Sequence, residues 1–393
     1  MNTNFVNIPL GPTDLVIIQA TSYCNMDCRY CYLTKQSRQE KNIISFDTIS
    51  TLARRLKQNN LYNENTTIAW HAGEPLTAGL KFFEKTSAIF RAELGLNVKQ
   101  NIQTNGTLIN RTWCDFFKSN NFSIGVSIDG PEDSHDANRI YKNGVGSYKK
   151  TLRGISLLKE YDIDFSTISV LTRKNLSDPK KIYDFFKNLG ASSVGFNTEE
   201  HEGAHTSDLV TDFENYRNLY KNFYKKIFEL NQHEKNKLKI REIQGFDSRV
   251  KNLLAAKPQV DVLPQEIKPY GIITISQTGD FSTFSPELLT DENEYNDFKG
   301  FSFGNVHRHS FDEALKTSKF KKVYRSIRNG VSKCRDSCDY YNVCGGLAPA
   351  NKLKENKTFD STETNYCQIK VKDLFDTGMN HSIKVLSELK VDF

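Results

Sequence analysis

Short apolar runs alternate with amphipathic stretches through the first half of the chain. Residues 15–18 read as a buried strand, 46–56 as a helix, 67–70 as a strand and 81–94 as a helix. Residues 98–103, 123–127, 165–171 and 193–196 continue the strands, with helical stretches at 113–118, 148–160 and 179–188 between them. Six strand–helix repeats predict an α/β fold with a parallel sheet, open or curled into a partial barrel. The C-terminal ends of the strands then form the working face.

The pattern changes after about Gly203. Residues 209–230 form a long aromatic helix in which Phe213, Tyr216, Tyr220, Phe223 and Ile227 recur at helical spacing, a stripe read as core. Residues 272–284, with Gly279 and Asp280 at the centre, read as a β-hairpin. Short helices fill 311–328, a Cys-rich and Gly-containing loop region follows, and a final helix covers 371–389. The change divides the chain into residues 1–235 and 236–393, with a boundary somewhere between Glu202 and Glu242.

Composition narrows the class. A hydrophobic fraction of 38% fits a soluble globular protein, and no apolar run is long enough to span a bilayer. Met1 to Leu10 lack the basic and apolar regions of a signal peptide, so a cytoplasmic location is expected. The net charge of +6 is spread over the chain, which argues for a solvated Lys-rich surface and against a nucleic-acid partner.

Cysteine usage is the informative part. Of eight Cys, three stand at Cys24, Cys28 and Cys31, four at Cys334, Cys338, Cys344 and Cys367, and Cys114 stands alone. In a cytoplasmic chain this points to metal or redox chemistry before disulfides. The spacing C-x3-C-x2-C directly after the first strand can hold three irons of a cubane and leave the fourth open to a small molecule. A zinc site completed by a distant side chain has the same local spacing. Four thiolates in the second set suit either a fully ligated Fe–S cluster or an all-cysteine zinc site. Cys114 is read as a buried structural thiol.

With Tyr30 before Cys31, the motif resembles that of the radical S-adenosylmethionine (AdoMet) superfamily, and the resemblance continues at successive strand ends. His71, Ala72, Gly73, Glu74 and Pro75 match its Gly-Gly-Glu-Pro motif, with Ala72 for Gly, a change tolerated if φ stays negative. Gln103 to Gly106 end the third strand; Ser127 to Pro131 end the fourth, followed by His135, Asp136 and Arg139. The resemblance implies a partial (β/α)6 TIM-type barrel and a [4Fe–4S] cluster on Cys24, Cys28 and Cys31 that cleaves AdoMet. It also implies Tyr30 near the adenine, backbone at His71 to Glu74 and the Glu74 carboxylate on the methionine ammonium, Ser127 and Arg139 on its carboxylate, and Val170 against the adenine.

The second cysteine set, the hairpin and Phe303 to Val306 resemble the SPASM-type C-terminal extension, which carries auxiliary [4Fe–4S] clusters. The hairpin Cys is missing and Ala348 stands where another Cys is usual, so one auxiliary cluster is expected, on Cys334, Cys338, Cys344 and Cys367. Phe281 to Leu289, Gly345, Gly346, Pro349 to Lys352, Phe359 to Thr364 and Phe196 to Gly203 resemble the cyclophane-forming peptide maturases. That resemblance implies crosslinking of an aromatic ring carbon to a β-carbon in a ribosomal precursor peptide, with a flavodoxin- or ferredoxin-type electron donor. Glu199, Glu200 and Arg241 are the candidates for the proton transfer, with Glu242 beside them. The rival readings are a formylglycine-forming sulfatase maturase, a thioether-forming maturase, and a zinc-stabilised binding module.

Overall fold

Residues 165–171 alternate buried and half-buried positions along their length, the pattern of a strand with one face on a core. Five other stretches of the first half also become strands. The computed structural model describes residues 12–96, 98–200, 205, 207, 211–255, 263–290, 298 and 300–388. Its strands are β1 (Leu15–Ile18), β2 (Thr67–Trp70), β3 (Lys99–Thr104), β4 (Phe122–Ser127), β5 (Phe165–Leu171), β6 (Ser193–Thr198), β7 (Ile272–Ile275), β8 (Asp280–Thr283) and β9 (Gly304–Asn305). They form one sheet in the order β6-β5-β4-β3-β2-β1-β7-β8-β9.

From β6 through β1 every pairing is parallel, the α/β partial-barrel arrangement that the strand–helix repeat predicts. Each crossover helix buries one face. Phe46–Gln58 is started by Ser45, whose hydroxyl accepts from Thr48 N, and it buries Ile49, Leu52, Ala53 and Leu56. Pro179–Leu189 has Asp178 as its cap and Pro179 at its first turn, and it buries Ile182, Tyr183 and Phe186. Phe213–Gln232 buries Tyr216, Tyr220, Phe223, Tyr224 and Ile227, so the stripe is core as read except for Phe213, which is half-buried at its edge. The first residues of that expected helix, Leu209 and Val210, lie outside the described residues, as do Glu202, Gly203 and Leu389.

The hairpin does more than the sequence foresaw. β7 and β8 pair antiparallel around Gly279, which takes φ +85°, but β7 also pairs parallel with β1 from Leu15–Ile272 to Ile18–Ile275. Residues on both sides of position 235 therefore share one sheet.

Two corrections belong to the second half. Helix Arg241–Leu254 was not expected, because its few apolar residues are interrupted by Gly245. Helix Ser318–Ser337 runs well beyond 328, carrying Cys334 on its buried stripe with Phe320, Val323, Ile327 and Val331, where a loop was expected. Gly330 does not stop it. A side chain there would collide with the Phe359 carbonyl, so glycine permits close helix–loop packing.

Candidate active site and a second cysteine site

The loop after β1 carries Cys24, Cys28 and Cys31 and is fastened by backbone bonds. Asp27 N donates to Ile140 O at 2.7 Å, Arg29 N to Asn138 O at 3.0 Å and Cys24 N to Arg38 O at 3.1 Å. Arg38, itself buried, pairs with Asp27. Burial pushes all three thiols up, Cys28 to about 12, and both other thiols add to the shift of Cys24. Thiols set this closely, and costly to ionise alone, suit a cation that binds them as thiolates. Among the described residues no three His, Cys, Asp or Glu side chains close on the single point that one metal ion takes. A cubane needs less convergence, because each thiolate binds a different iron.

The turn after β2 packs on this loop. Gly73 has φ +62°, and a Cβ there would lie 2.8 Å from Tyr23 O and nearer still to Thr21 O. Ala72 also has a positive φ, +72°, which corrects the expectation that it stays negative. Two successive left-handed residues are what return the chain against residues 21–23, and Ala72 takes the strain.

Glu74 N donates to Tyr23 O at 2.8 Å, while its buried carboxylate accepts from Leu76 N, Thr104 Oγ1 and Asn105 N at 3.1, 2.7 and 2.7 Å. Burial raises its pKa to about 7 against those three donors. The carboxylate thus braces β2 against β3, and the backbone of residues 72–74 faces the cysteine loop. The His71 imidazole is held below its usual pKa by desolvation.

Asp129, which the sequence placed within the segment ending the fourth strand but gave no role of its own, is the hub at the ends of β4 and β5. Its carboxylate accepts from Tyr30 OH at 2.5 Å and Val170 N at 3.0 Å. Its carbonyl accepts from Ser169 Oγ at 3.2 Å and Asn175 Nδ2 at 2.5 Å. Arg139 lies over the Tyr30 ring at 5.4 Å, and its Nε is 3.1 Å from Asp129 Oδ1 without an aligned hydrogen bond. A buried guanidinium N–H without an aligned acceptor fits a carboxylate ligand. Ser127 Oγ, half-buried, accepts from Gln103 Nε2 at 2.9 Å, and Val170 is half-buried at the end of β5.

The proton-transfer candidates separate. Glu199 pairs with His205 Nε2 at 2.8 Å. Arg241 is bound to Glu242 and to Asn197 Oδ1, and Lys370 joins Glu242 at 3.1 Å, forming a charged clamp under β6. Glu200 instead accepts from Asn351 Nδ2 at 2.8 Å, across to helix Pro349–Asn356. Beside it sits Glu287, which sequence reasoning missed. Burial, then the Glu200 carboxylate, raise its pKa to about 7, with Lys354 opposing.

Of the second thiol set, Cys334 lies on Ser318–Ser337 and Cys338 caps its end, Cys344 ends Tyr341–Cys344 and Cys367 ends Asn365–Cys367. Cys344 feels Cys338 and Cys334, and Cys367 feels Cys344 and Cys338, though burial is the larger cause raising both pKa values. Three successive positive-φ residues, Gly345, Gly346 and Leu347, turn the chain from Cys344 into Pro349–Asn356. There Lys352, buried, donates to Cys334 Sγ at 3.2 Å. The four-sulfur set with a buried cation fits an anionic cluster. Cys114 is fully buried in the core, away from both sets.

The chain resembles known proteins in sequence and in fold. The Radical SAM superfamily profile matches residues 18–186. An uncharacterised Synechocystis protein, sll1766, is 38% identical over 95% of this chain and 91% of its own length. A cysteine-type anaerobic sulfatase-maturating enzyme of Clostridium perfringens is 25% identical over 97% of this chain and all of its own (100%). The fold is shared with native anSMEcpe with bound AdoMet (TM-score 0.73, 23% identity, 97% of this chain and 100% of that one). It is shared too with Streptococcus suis SuiB bound to its precursor peptide SuiA (TM-score 0.61, 16% identity, 91% and 76%). Among the described residues, no helix is long and apolar enough to cross a membrane.

Proposed function

The chain belongs to the radical SAM superfamily, and from that premise we propose that it is a peptide maturase that joins an aromatic ring carbon to a side-chain β-carbon in a ribosomal precursor peptide. The observation that carries the reading is the partition of the thiols. Three sit on the loop after β1, four on the C-terminal helices, and Cys114 is in the core. One open cluster and one closed cluster use every available ligand, and nothing remains for the third cluster that a sulfatase-type maturase of this class would require. The resemblance of Phe281 to Leu289 and of Pro349 to Lys352 to cyclophane-forming maturases supports the same reading.

A [4Fe–4S] cluster on Cys24, Cys28 and Cys31 would supply the electron that cleaves AdoMet to a 5′-deoxyadenosyl radical. One on Cys334, Cys338, Cys344 and Cys367 would supply an electron acceptor. The remaining work falls to side chains. The backbone of residues 71–74, and Glu74 that braces it, receive the AdoMet ammonium; Arg139 and Ser127 receive its carboxylate; Tyr30 and Val170 flank the adenine. Glu200, held by Asn351, takes the ring proton when aromaticity is restored, and Glu287 beside it favours proton uptake. Glu199 and Arg241, already paired, shape the rim.

The test is reconstitution of the anaerobic, iron-loaded chain with dithionite, AdoMet and the precursor peptide. The expected product lacks two hydrogens and survives alkylation, and Glu200→Gln should still cleave AdoMet while losing that product. Full product yield in the variant would remove Glu200 from the role. Formylglycine in place of a crosslink would establish the sulfatase-maturase reading instead.

A further inference from the structure

Helix Pro349–Asn356 buries its first six residues although Asn351, Lys352 and Lys354 are among them. Its Asn351 reaches Glu200, and the charge of Lys354 acts on Glu287. Lys352 points the other way. It is 3% exposed, and its Nζ donates to Gly330 O at 3.1 Å and Cys334 Sγ at 3.2 Å. No carboxylate is among its partners in the described residues. A buried ammonium is costly unless an anion faces it, and a sulfur that ligates iron is that anion. Lys372 also lies within electrostatic reach of Cys338 and Cys367, but it is more exposed and is neutralised by Glu363 at 2.8 Å. The charges of Arg249 and Lys372 act on Cys344 and Cys367, but Lys352 is the buried cation that hydrogen-bonds a sulfur of the set.

We propose that Lys352 sets the reduction potential of the auxiliary cluster, by donating a hydrogen bond to the Cys334 sulfur and fixing a positive charge beside it. This rests on the reading of the four thiols as an Fe–S site. Hydrogen bonds to cluster sulfurs and nearby positive charge both favour the reduced, more negative form. Lys352 is a positioning residue in this sense: it acts through a ligand and touches no substrate. One helix then holds both halves of the final step, Glu200 for the proton by way of Asn351, and the electron acceptor by way of Lys352.

The experiment uses the full chain carrying Cys24→Ala, Cys28→Ala and Cys31→Ala, so that iron reports the second site alone. About four irons per chain are expected, followed by an EPR-monitored redox titration. Adding Lys352→Met should change the oxidised-to-reduced ratio at the parent midpoint about tenfold toward the oxidised form, which is about 59 mV for a one-electron couple. Lys352→Arg, which keeps charge and donors, should stay near the parent. An unchanged midpoint in Lys352→Met overturns the proposal while leaving the cluster reading intact. If the Met variant does not fold, Lys352→Gln, neutral but still a donor, must show a shift in the same direction, and a parental midpoint in it overturns the proposal. A parent chain without iron sinks the cluster reading and this inference together.

Discussion

Asn351 donates to Glu200 Oε2 at 2.8 Å, and this bond ties helix Pro349–Asn356 to the residues just past β6. Asn351→Ala removes this donor from the carboxylate. Losing such a partner costs about 1–3 kcal/mol in a buried setting. The expected outcome is AdoMet cleavage within about twofold of the parent, with crosslinked product down about tenfold or more, as for a misplaced general base. Quantifying 5′-deoxyadenosine and product in the same reaction checks it.

Glu287 gives a pH signature. Its folded-state pKa is near 7, against an ordinary value of 4.5. Below the ordinary value both states hold the proton and its contribution to stability is complete. As pH rises toward 7 the unfolded chain releases the proton that the native chain keeps, so stability falls, by at most about 1.4 kcal/mol per pH unit. Glu287→Gln removes that loss. Urea midpoints between about pH 4.5 and about pH 7 should decline less in the variant than in the parent. Glu74 titrates in the same window in both proteins and cancels from the difference.

Gly73→Ala should separate the first site from the fold. The added Cβ meets the carbonyls of Thr21 and Tyr23 at a left-handed backbone position. The loop bearing the three thiols must shift, while the core behind it stays intact. Iron should fall from about eight to about four per chain, with the far-ultraviolet circular dichroism spectrum unchanged. Ala72→Gly is the converse: it relieves a positive φ worth about 1 kcal/mol and should raise the anaerobic Tm by a degree or two.

Asp129→Asn removes the charge opposite buried Arg139. Breaking a buried pair from one side costs about 3–5 kcal/mol, and the single amide oxygen of Asn can no longer accept from both Tyr30 and Val170. A fall of several degrees in Tm is expected, together with weakened AdoMet binding by calorimetry.

The parallel strands were legible where an apolar run such as Leu15–Ile18, or an apolar–polar alternation such as Phe165–Leu171, is bounded by polar or turn residues. The cysteine sets were legible from spacing and residue type. What escaped detection depends on tertiary surroundings. Asp129 stands before Gly130 and Pro131 and reads as a turn, yet four groups from other segments converge on it. Lys352 and Lys354 read as surface residues by composition and are buried, since their partners lie far away in sequence. Glu287 carries no local signal at all; burial, and then the approach of Glu200, make it chemically distinct. Arg241–Leu254 was hidden by its charge density and Gly245; the ion pairs of Glu242 and the buried ring of Phe246 hold it.

The pairing of β7 with β1 has a consequence for anyone shortening the chain. A fragment stopped near residue 235 would retain all three N-terminal thiols but would strip the neighbour from one side of β1, baring its amide and carbonyl groups over residues 15–18. Such an unprotected margin recruits other chains, and it lies only a few residues ahead of Cys24. The isolated N-terminal half should therefore precipitate or self-associate on expression, so the C-terminal hairpin acts as a selvedge that keeps the fabric of the sheet from unravelling.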